Sequence, residues 1–252
     1  MGWLRVATWN LDHAYNSSRP KDLQILQIMK FAPDIVVLTE TCVEVDLTEY
    51  GYQVVYPKSK NQYGKYWSSI WYSNQIRLLK ELETANDEVA VCAQFETPLG
   101  EMLIYGTIIA YRDFRVKNDS KPWEEHYKSI KWHGEDWRKI DNWWSDIPLI
   151  VAGDFNQTRD GSNRYSSPQG IELLNSELEK SNLQCITEEN FGKSGKLSID
   201  PVKGYARSNI DHICISKGFF SDIEVGVWNH FTEDSKYTSD HNGVYIDLLK
   251  KI

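Results

Sequence analysis

Ile147-Pro-Leu-Ile-Val-Ala-Gly-Asp-Phe-Asn156 is the stretch on which the reading of this chain turns. An apolar, β-like run ends in Gly153 and then presents a carboxylate and a carboxamide two residues apart. In an extended chain the side chains at i and i+2 point the same way, so Asp154 and Asn156 are expected to emerge together at the open end of a strand. One group can take a proton from water while the other fixes the oxygen being moved. The same residues also suit a strand that closes in an Asx-type turn, because Asp and Asn after Gly are ordinary turn formers.

The design recurs along the chain. Arg5-Val-Ala-Thr-Trp-Asn-Leu-Asp12 is a strand ending in Asn10 and Asp12, and Asp34-Ile-Val-Val-Leu-Thr-Glu40 is a strand ending in Glu40. Asn209-Ile-Asp-His-Ile-Cys-Ile215 puts Asp211 at the start of an apolar run, and Ser239-Asp-His-Asn-Gly243 puts Asp240 and His241 just before another. Polar residues cap strands in most proteins, so each segment alone says little. Together they supply only Asn, Asp, Glu and His, the hard-oxygen and imidazole chemistry of a divalent-metal site that works on phosphate.

In this order WN-x-D, L-x-E, GDFN, ID and SDH, running from Trp9 to His241, the chain resembles the endonuclease/exonuclease/phosphatase superfamily. The resemblance implies an α/β fold, a four-layer sandwich of two packed mixed β-sheets flanked by helices, with the active site where strands of both sheets end. It also implies that Asp211 orients His241 and raises its pKa, so that the pair can donate a charged hydrogen bond to a scissile phosphate. One motif departs from the family pattern. Many members carry a histidine or tyrosine after a strand resembling Leu103–Ala110, where this chain has isoleucine, and the nearest donor is Tyr111 with Arg112 beside it.

The remaining roles are read from the residues. Glu40 is the leading metal ligand, because a carboxylate at the mouth of a buried strand must meet a cation or a donor; a salt bridge to a neighbouring base is the competing explanation. Asn10 is expected to hold Glu40 or a phosphate oxygen, and Asp12 to complete the oxygen shell directly or through water. Asp240 is expected to touch the metal or its waters, or else to cap its loop. Mg²⁺ accepts few protein carboxylates and keeps waters, and Mn²⁺ shares its preference for oxygen. Asp154 is assigned to orient or deprotonate the attacking water and Asn156 to hold the transferring oxygens. His212 falls on the opposite strand face and reads as a packed or surface histidine.

Composition fits one catalytic domain spanning residues 1–252: the chain is 41% hydrophobic and shows no linker or low-complexity tract. No apolar run approaches the ~20 residues of a membrane span, and no signal-peptide core follows Met1. Cys42, Cys92, Cys185 and Cys214 lack metal-type spacing and are read as reduced, which makes a cytoplasmic setting the expectation. A net charge of −8 argues against tight, extended duplex binding. Arg112, Arg115, Lys117, Lys121, Lys128 and Lys131 make a local positive cluster, but Asp113, Asp119, Glu124 and Glu125 interrupt it.

Hydrophobic periodicity predicts a strand Trp3–Trp9, a polar loop over Asp12–Ser18, a helix Pro20–Phe31 with Leu23, Leu26 and Met29 on one side, and a strand Asp34–Leu38, hence an opening β-α-β unit. Tyr52–Tyr56, Ser69–Tyr72, Val89–Phe95 and Met102–Ile109 read as strands. Pro122–Trp144 reads as a Trp-rich helix broken near Gly134, Ile147–Ala152 as a strand, Gln169–Lys180 as a helix, and the tail as strands ending near Leu249. Trp137, Trp143 and Trp144 suit one buried helix face, whereas Trp123 is a candidate to stack an unpaired base. Lys65 is within sequence reach of a phosphate-binding role.

The expectation is a Mg²⁺-dependent phosphoesterase that cleaves phosphodiester bonds in DNA or RNA by metal-assisted attack of water. A phosphatase or phosphodiesterase for a small molecule or lipid headgroup is the first alternative, and a catalytically silent binding module the second. No protein partner is implied. Specificity is expected from the loops Tyr111–Gly134 and Arg159–Pro168.

Overall fold

A computed structural model describes residues 2–13, 19–62, 64–116 and 121–250. Residues 14–18 of the polar loop expected over Asp12–Ser18, Tyr63, and Lys117 and Asp119 of the mixed-charge cluster lie outside the described residues. Two mixed sheets of six strands each pack face to face. The first contains β1 (Trp3–Asn10), β2 (Ile35–Thr39), β3 (Tyr52–Val55), β4 (Ser68–Ser73), β11 (Phe220–Trp228) and β12 (Gly243–Lys250), in the order β11-β12-β1-β2-β4-β3. The second contains β5 (Arg77–Leu82), β6 (Ala90–Thr97), β7 (Gly100–Ile108), β8 (Leu149–Asp154), β9 (Leu183–Cys185) and β10 (Asp211–Ser216), in the order β5-β6-β7-β8-β10-β9. Helices α1 (Lys21–Phe31), α2 (Glu124–Trp143) and α3 (Pro168–Lys180) complete the layers.

Each sheet holds one parallel pair with a helical crossover: β1 and β2 joined through α1, and β7 and β8 joined through α2. Every other pairing is antiparallel, so β10 starts where β8 ends, with Asp211 opposite Asp154. In the same way β12 starts beside the end of β1. This connectivity brings five strand termini to one edge of the sandwich.

Strand alternation fixes which side chains face between the sheets. Leu4 and Val6 of β1, Ile150 and Ala152 of β8, and Ile213 and Ile215 of β10 all belong to the core between the sheets. By the same period of two, Asn10, Asp154 and Asp211 continue those rows at its open end. Ala7 and Trp9 instead join Ile28 of α1 in an outer core, and Val151 and Cys214 join Trp137 of α2 in another.

Several helix expectations change. On α1 the buried positions are Gln24 and Ile28, while Leu26 is 59% exposed. The Gln24 amide donates to Leu11 O (2.8 Å) and Thr238 O (2.6 Å), so a polar side chain takes the inner face because it satisfies two buried carbonyls. α2 runs unbroken through Gly134, which is buried where a Cβ would overlap Glu177 of α3; the glycine permits close helix packing instead of ending the helix. Of the tryptophan trio only Trp137 is fully buried, and Trp143 is 74% exposed at the end of α2. Edge strand β5 went unread in the sequence. No helix among the described residues is long and apolar enough to cross a membrane.

Candidate active site

The five strand ends place Asn10, Glu40, Asp154, Asp211 and His241 together. Asn10 is the hub: its Nδ2 donates to Glu40 Oε1 (3.0 Å) and to Asp154 Oδ2 (2.9 Å), while its Oδ1 accepts the Asp12 backbone N–H (2.8 Å). Both amide protons are therefore engaged, and Asn10 acts on Glu40 rather than on a free phosphate oxygen. Glu40 has the strand parity of Leu38, which faces α1, yet its φ of 48° turns the carboxylate back to Asn10.

Asp154 and Asn156 form the turn that the sequence offered as an alternative. Asn156 adopts φ 49°, its N–H donates to Asp154 Oδ1 (2.8 Å), and its Nδ2 donates to Asp154 Oδ2 (3.0 Å) and Ile109 O (2.9 Å). The two side chains do not project in parallel from an extended strand. Asn156 has no amide proton left for transferring oxygens and instead orients Asp154. Asp12 repeats the device with φ 56°, and its carboxylate is paired with Arg19 (Nε to Oδ2, 2.6 Å).

His241 Nδ1 lies 2.6 Å from Asp211 Oδ2, and its Nε2 lies 3.6 Å from Asp240 Oδ1. Burial opposes a charge on His241, but Asp211, Asp154 and Asp240 overcome it and push the pKa up to about 10. Burial raises Asp154 to about 8; His241 opposes the shift, and Asp211 and Glu40 reinforce it. Glu40 is raised chiefly by burial, against the Asn10 hydrogen bond and His241. Asp12 is raised by burial and Asp240, against Arg19. Asp240 moves down: burial would raise it, but His241, Arg207 and Arg19 prevail.

Carboxylates thus crowd a buried pocket that holds more negative charge than its cations offset. Asp211 Oδ1 is buried without a hydrogen-bond partner among the described residues. An orphan carboxylate oxygen among hard-oxygen donors is what a divalent cation requires, so the residues present fit such an ion. Asp154, Asp211 and His241 offer ligand atoms all within 4.8 Å of one another, close enough to hold a metal. Asp211 engages His241 Nδ1, so any further contact from that ring has to come from Nε2.

Tyr111 is 39% exposed, and on the Glu40 side it lines a cleft of about 490 Å³ with Trp67, Phe114 and Trp132. A larger hollow of about 870 Å³, between β5 and the end of α2, contains none of the candidate residues. Arg112 is exposed and paired with its neighbour Asp113 (2.7 Å). Trp123 is half-buried and packs on His126 and Tyr165, outside the cleft wall. Lys65 donates to His13 O (2.5 Å). His212 is buried on the helix side, bonded to Thr187 and Gln157 O.

Sequence reasoning missed the residues that hold these groups in place. Ser239 Oγ donates to Asn10 O (2.6 Å) and accepts the His241 N–H (2.9 Å), and Trp9 Nε1 donates to His241 O (2.8 Å). Arg207 reaches Asp240 at 3.4 Å. Ser239 stood inside the SDH motif and was legible there; Arg19 and Arg207 carry no local signal.

A buried carboxylate, carboxamide and imidazole constellation at the joint edge of two packed sheets defines a phosphate-ester hydrolase type of centre. The model of the endonuclease/exonuclease/phosphatase family matches residues 7–241, and the chain belongs to that family, whose members are phosphoesterases generally dependent on a divalent metal. A comparison with curated proteins by sequence found no match. Among solved structures the chain is similar to the human Nocturnin catalytic domain with bound sulfate (21% identity, TM-score 0.67, covering 99% of this chain and 95% of that one). It is also similar to truncated Caenorhabditis elegans TDP2 (15%, 0.67, 98% and 97%) and to a Bacteroides thetaiotaomicron family member (17%, 0.68, 100% and 99%). At these identities the likeness is one of fold.

Proposed function

We propose that this chain is a Mg²⁺-dependent phosphodiesterase acting on nucleic acid, with Mn²⁺ able to substitute. The observation that carries the reading is the division of labour around Asn10: a carboxylate pair tied by one amide at 2.9 and 3.0 Å, beside a separate Asp211–His241 dyad at 2.6 Å. Glu40 would hold the metal, with Asn10 orienting it and Asp12 and Asp240 reached through water. When bound, the ion supplies charge neutralisation and Lewis acidity at the phosphate.

Asp154 is the base. Among the described residues its Oδ1 accepts only the Asn156 N–H, which leaves a lone pair for the attacking water, and Asn10 and Asn156 fix its plane. His241, kept protonated by Asp211, donates from Nε2 to a phosphate oxygen and stabilises the charge that develops there. In this reading Tyr111, on the cleft wall, and its neighbour Arg112 serve as phosphate or leaving-group contacts. In-line attack of water then inverts configuration at phosphorus.

Two fold neighbours support the choice of a polymer: one is a TDP2 from D. rerio in complex with a single-strand DNA product, another the endonuclease domain of the telomere-specific retrotransposon TRAS1. The experiment is a panel of single- and double-stranded DNA, RNA, and small phosphate mono- and diesters, assayed with wild type, Asp154→Ala and His241→Ala. Cleavage of a polymer that both substitutions reduce by about 10²–10⁴-fold supports the reading. Turnover confined to small esters moves the chain to the small-molecule alternative.

A further inference from the structure

Residues 192–207 form a loop whose charge runs against the rest of the chain. In a protein of net charge −8, this segment carries Lys193, Lys196, Lys203 and Arg207 against one carboxylate, Asp200. Asp200 is fully buried and accepts from Tyr237 (2.6 Å), His230 Nε2 (2.9 Å) and the backbone amides of Val202 (2.8 Å) and Lys203 (2.9 Å). That anchor removes the only negative charge from the loop surface and fixes the backbone around it. Tyr205 is left 49% exposed.

The loop is tied to the site at its far end. Asn242 Nδ2 donates to Arg207 O (3.0 Å), and the Arg207 guanidinium lies beside Asp240. From the facing loop Arg164 places its guanidinium 5.4 Å from the centre of the Tyr205 ring, and the next residue, Tyr165, accepts at its carbonyl the N–H of Thr158 (2.7 Å), two residues beyond Asn156 of the site. Lys203 and Arg164 have no ion-pair partner among the described residues. The loop that leaves the site at Asn156 therefore ends against Tyr205, with Arg164 already on its ring and Lys203 two residues before it in the chain, and neither cation is ion-paired among the described residues.

We propose that Arg164, Tyr205 and Lys203 form the track for a single nucleic-acid strand as it leaves the site. Tyr205 stacks an unpaired base on the face away from Arg164, and Lys203 and Arg164 meet the flanking phosphates. This rests on the phosphodiesterase reading and deepens it by naming a single-stranded polymer as substrate. Ile199 and Val202 are exposed on the same loop, but two short aliphatic side chains bury far less than one acyl chain, which itself gives only marginal membrane binding. A stacking ring between cations is matched to a strand rather than to a bilayer.

The test is fluorescence anisotropy of a labelled single-stranded oligonucleotide of about twelve nucleotides, bound by the whole chain in Mg²⁺ with His241→Ala in the background to prevent cleavage. Tyr205→Ala is expected to weaken binding about 5- to 150-fold, the range for one stacked base. Tyr205→Phe restores affinity because it keeps the ring. Lys203→Ala is expected to lower the slope of log affinity against log salt by about 0.7, one phosphate contact on a single strand. Unchanged affinity in Tyr205→Ala, an unchanged salt slope in Lys203→Ala, or no oligonucleotide binding by the parent overturns the proposal. So does Lys203-dependent binding to phosphatidylserine vesicles without an effect on the oligonucleotide. Hydrolysis of bis(p-nitrophenyl) phosphate by wild type and Tyr205→Ala is measured in parallel. Its absence from wild type overturns the phosphodiesterase reading on its own, whereas equal rates in the two proteins with weakened oligonucleotide binding support a strand contact outside the chemistry.

Discussion

Replacing Asp211 with Asn changes the charge on His241's partner while keeping its shape. The two groups meet at 2.6 Å in a buried setting. With charge centres about 4 Å apart and an effective dielectric of about 20, their attraction is ~4 kcal/mol, which corresponds to ~3 pH units at 1.36 kcal/mol each. Asp154 and Asp240 remain, so the His241 pKa should fall from about 10 most of the way to its ordinary 6.5. The assay is the pH profile of kcat on a small phosphodiester between pH 5 and pH 10 at fixed metal. A bound cation lowers the His241 pKa in both proteins, so the difference between profiles isolates the Asp211 contribution. The alkaline limb should move down by about 2–3 units, with kcat at neutral pH reduced about 10²-fold or more. The sign extends to stability: a raised histidine pKa stabilises fully below pH 6.5, and the gain is lost as pH rises through about 10. In chelator, the gap in Tm between wild type and Asp211→Asn should therefore narrow over that window. An unmoved alkaline limb would refute the assignment of His241 as the proton-bearing group.

Other expectations follow from burial and backbone shape. Trp137→Ala should cost about 3–5 kcal/mol by urea denaturation, whereas Trp143→Ala, at a 74% exposed position, should stay within about 0.5 kcal/mol. Gly153→Ala should largely abolish soluble folded protein, because φ is +149° and the new Cβ overlaps the Thr107 carbonyl across the β7–β8 ladder. His133 is fully buried and held neutral down to about pH 3 by burial, so it contributes stability above pH 6.5 that is lost as pH falls. His133→Gln should accordingly lose about 3 kcal/mol less than wild type between pH 7 and pH 4, read from urea midpoints.

The parts of the molecule that sequence revealed are those in which a local pattern has one solution. Val36-Val-Leu38 and Ile150-Val-Ala152 are too apolar for any place but a buried strand, and each ends in the carboxylate that the site uses. What escaped depends on partners distant in the chain. Gln24 faces inward because two carbonyls, one of them Thr238 O some two hundred residues away, need its amide. β5, Arg-Leu-Leu-Lys-Glu-Leu, is an edge strand with half-exposed side chains and so lacks a clean alternation. Glu40 and Asn156 reach the site through left-handed backbone at non-glycine positions, which strand parity does not anticipate. Arg19 and Arg207 enter through loops, and only the folded chain shows which carboxylates they meet.

The central claim is that the joint edge of the two sheets hydrolyses phosphodiesters with a divalent ion held on its Glu40 side. The direct measurement is turnover of bis(p-nitrophenyl) phosphate by the purified chain in Mg²⁺, in EDTA, and with Glu40→Gln in place of wild type. The account predicts turnover in Mg²⁺, none in EDTA, and a loss of about 10²-fold or more in Glu40→Gln that raised Mn²⁺ partly restores. Turnover that persists in EDTA, or that survives Glu40→Gln unchanged, would contradict it.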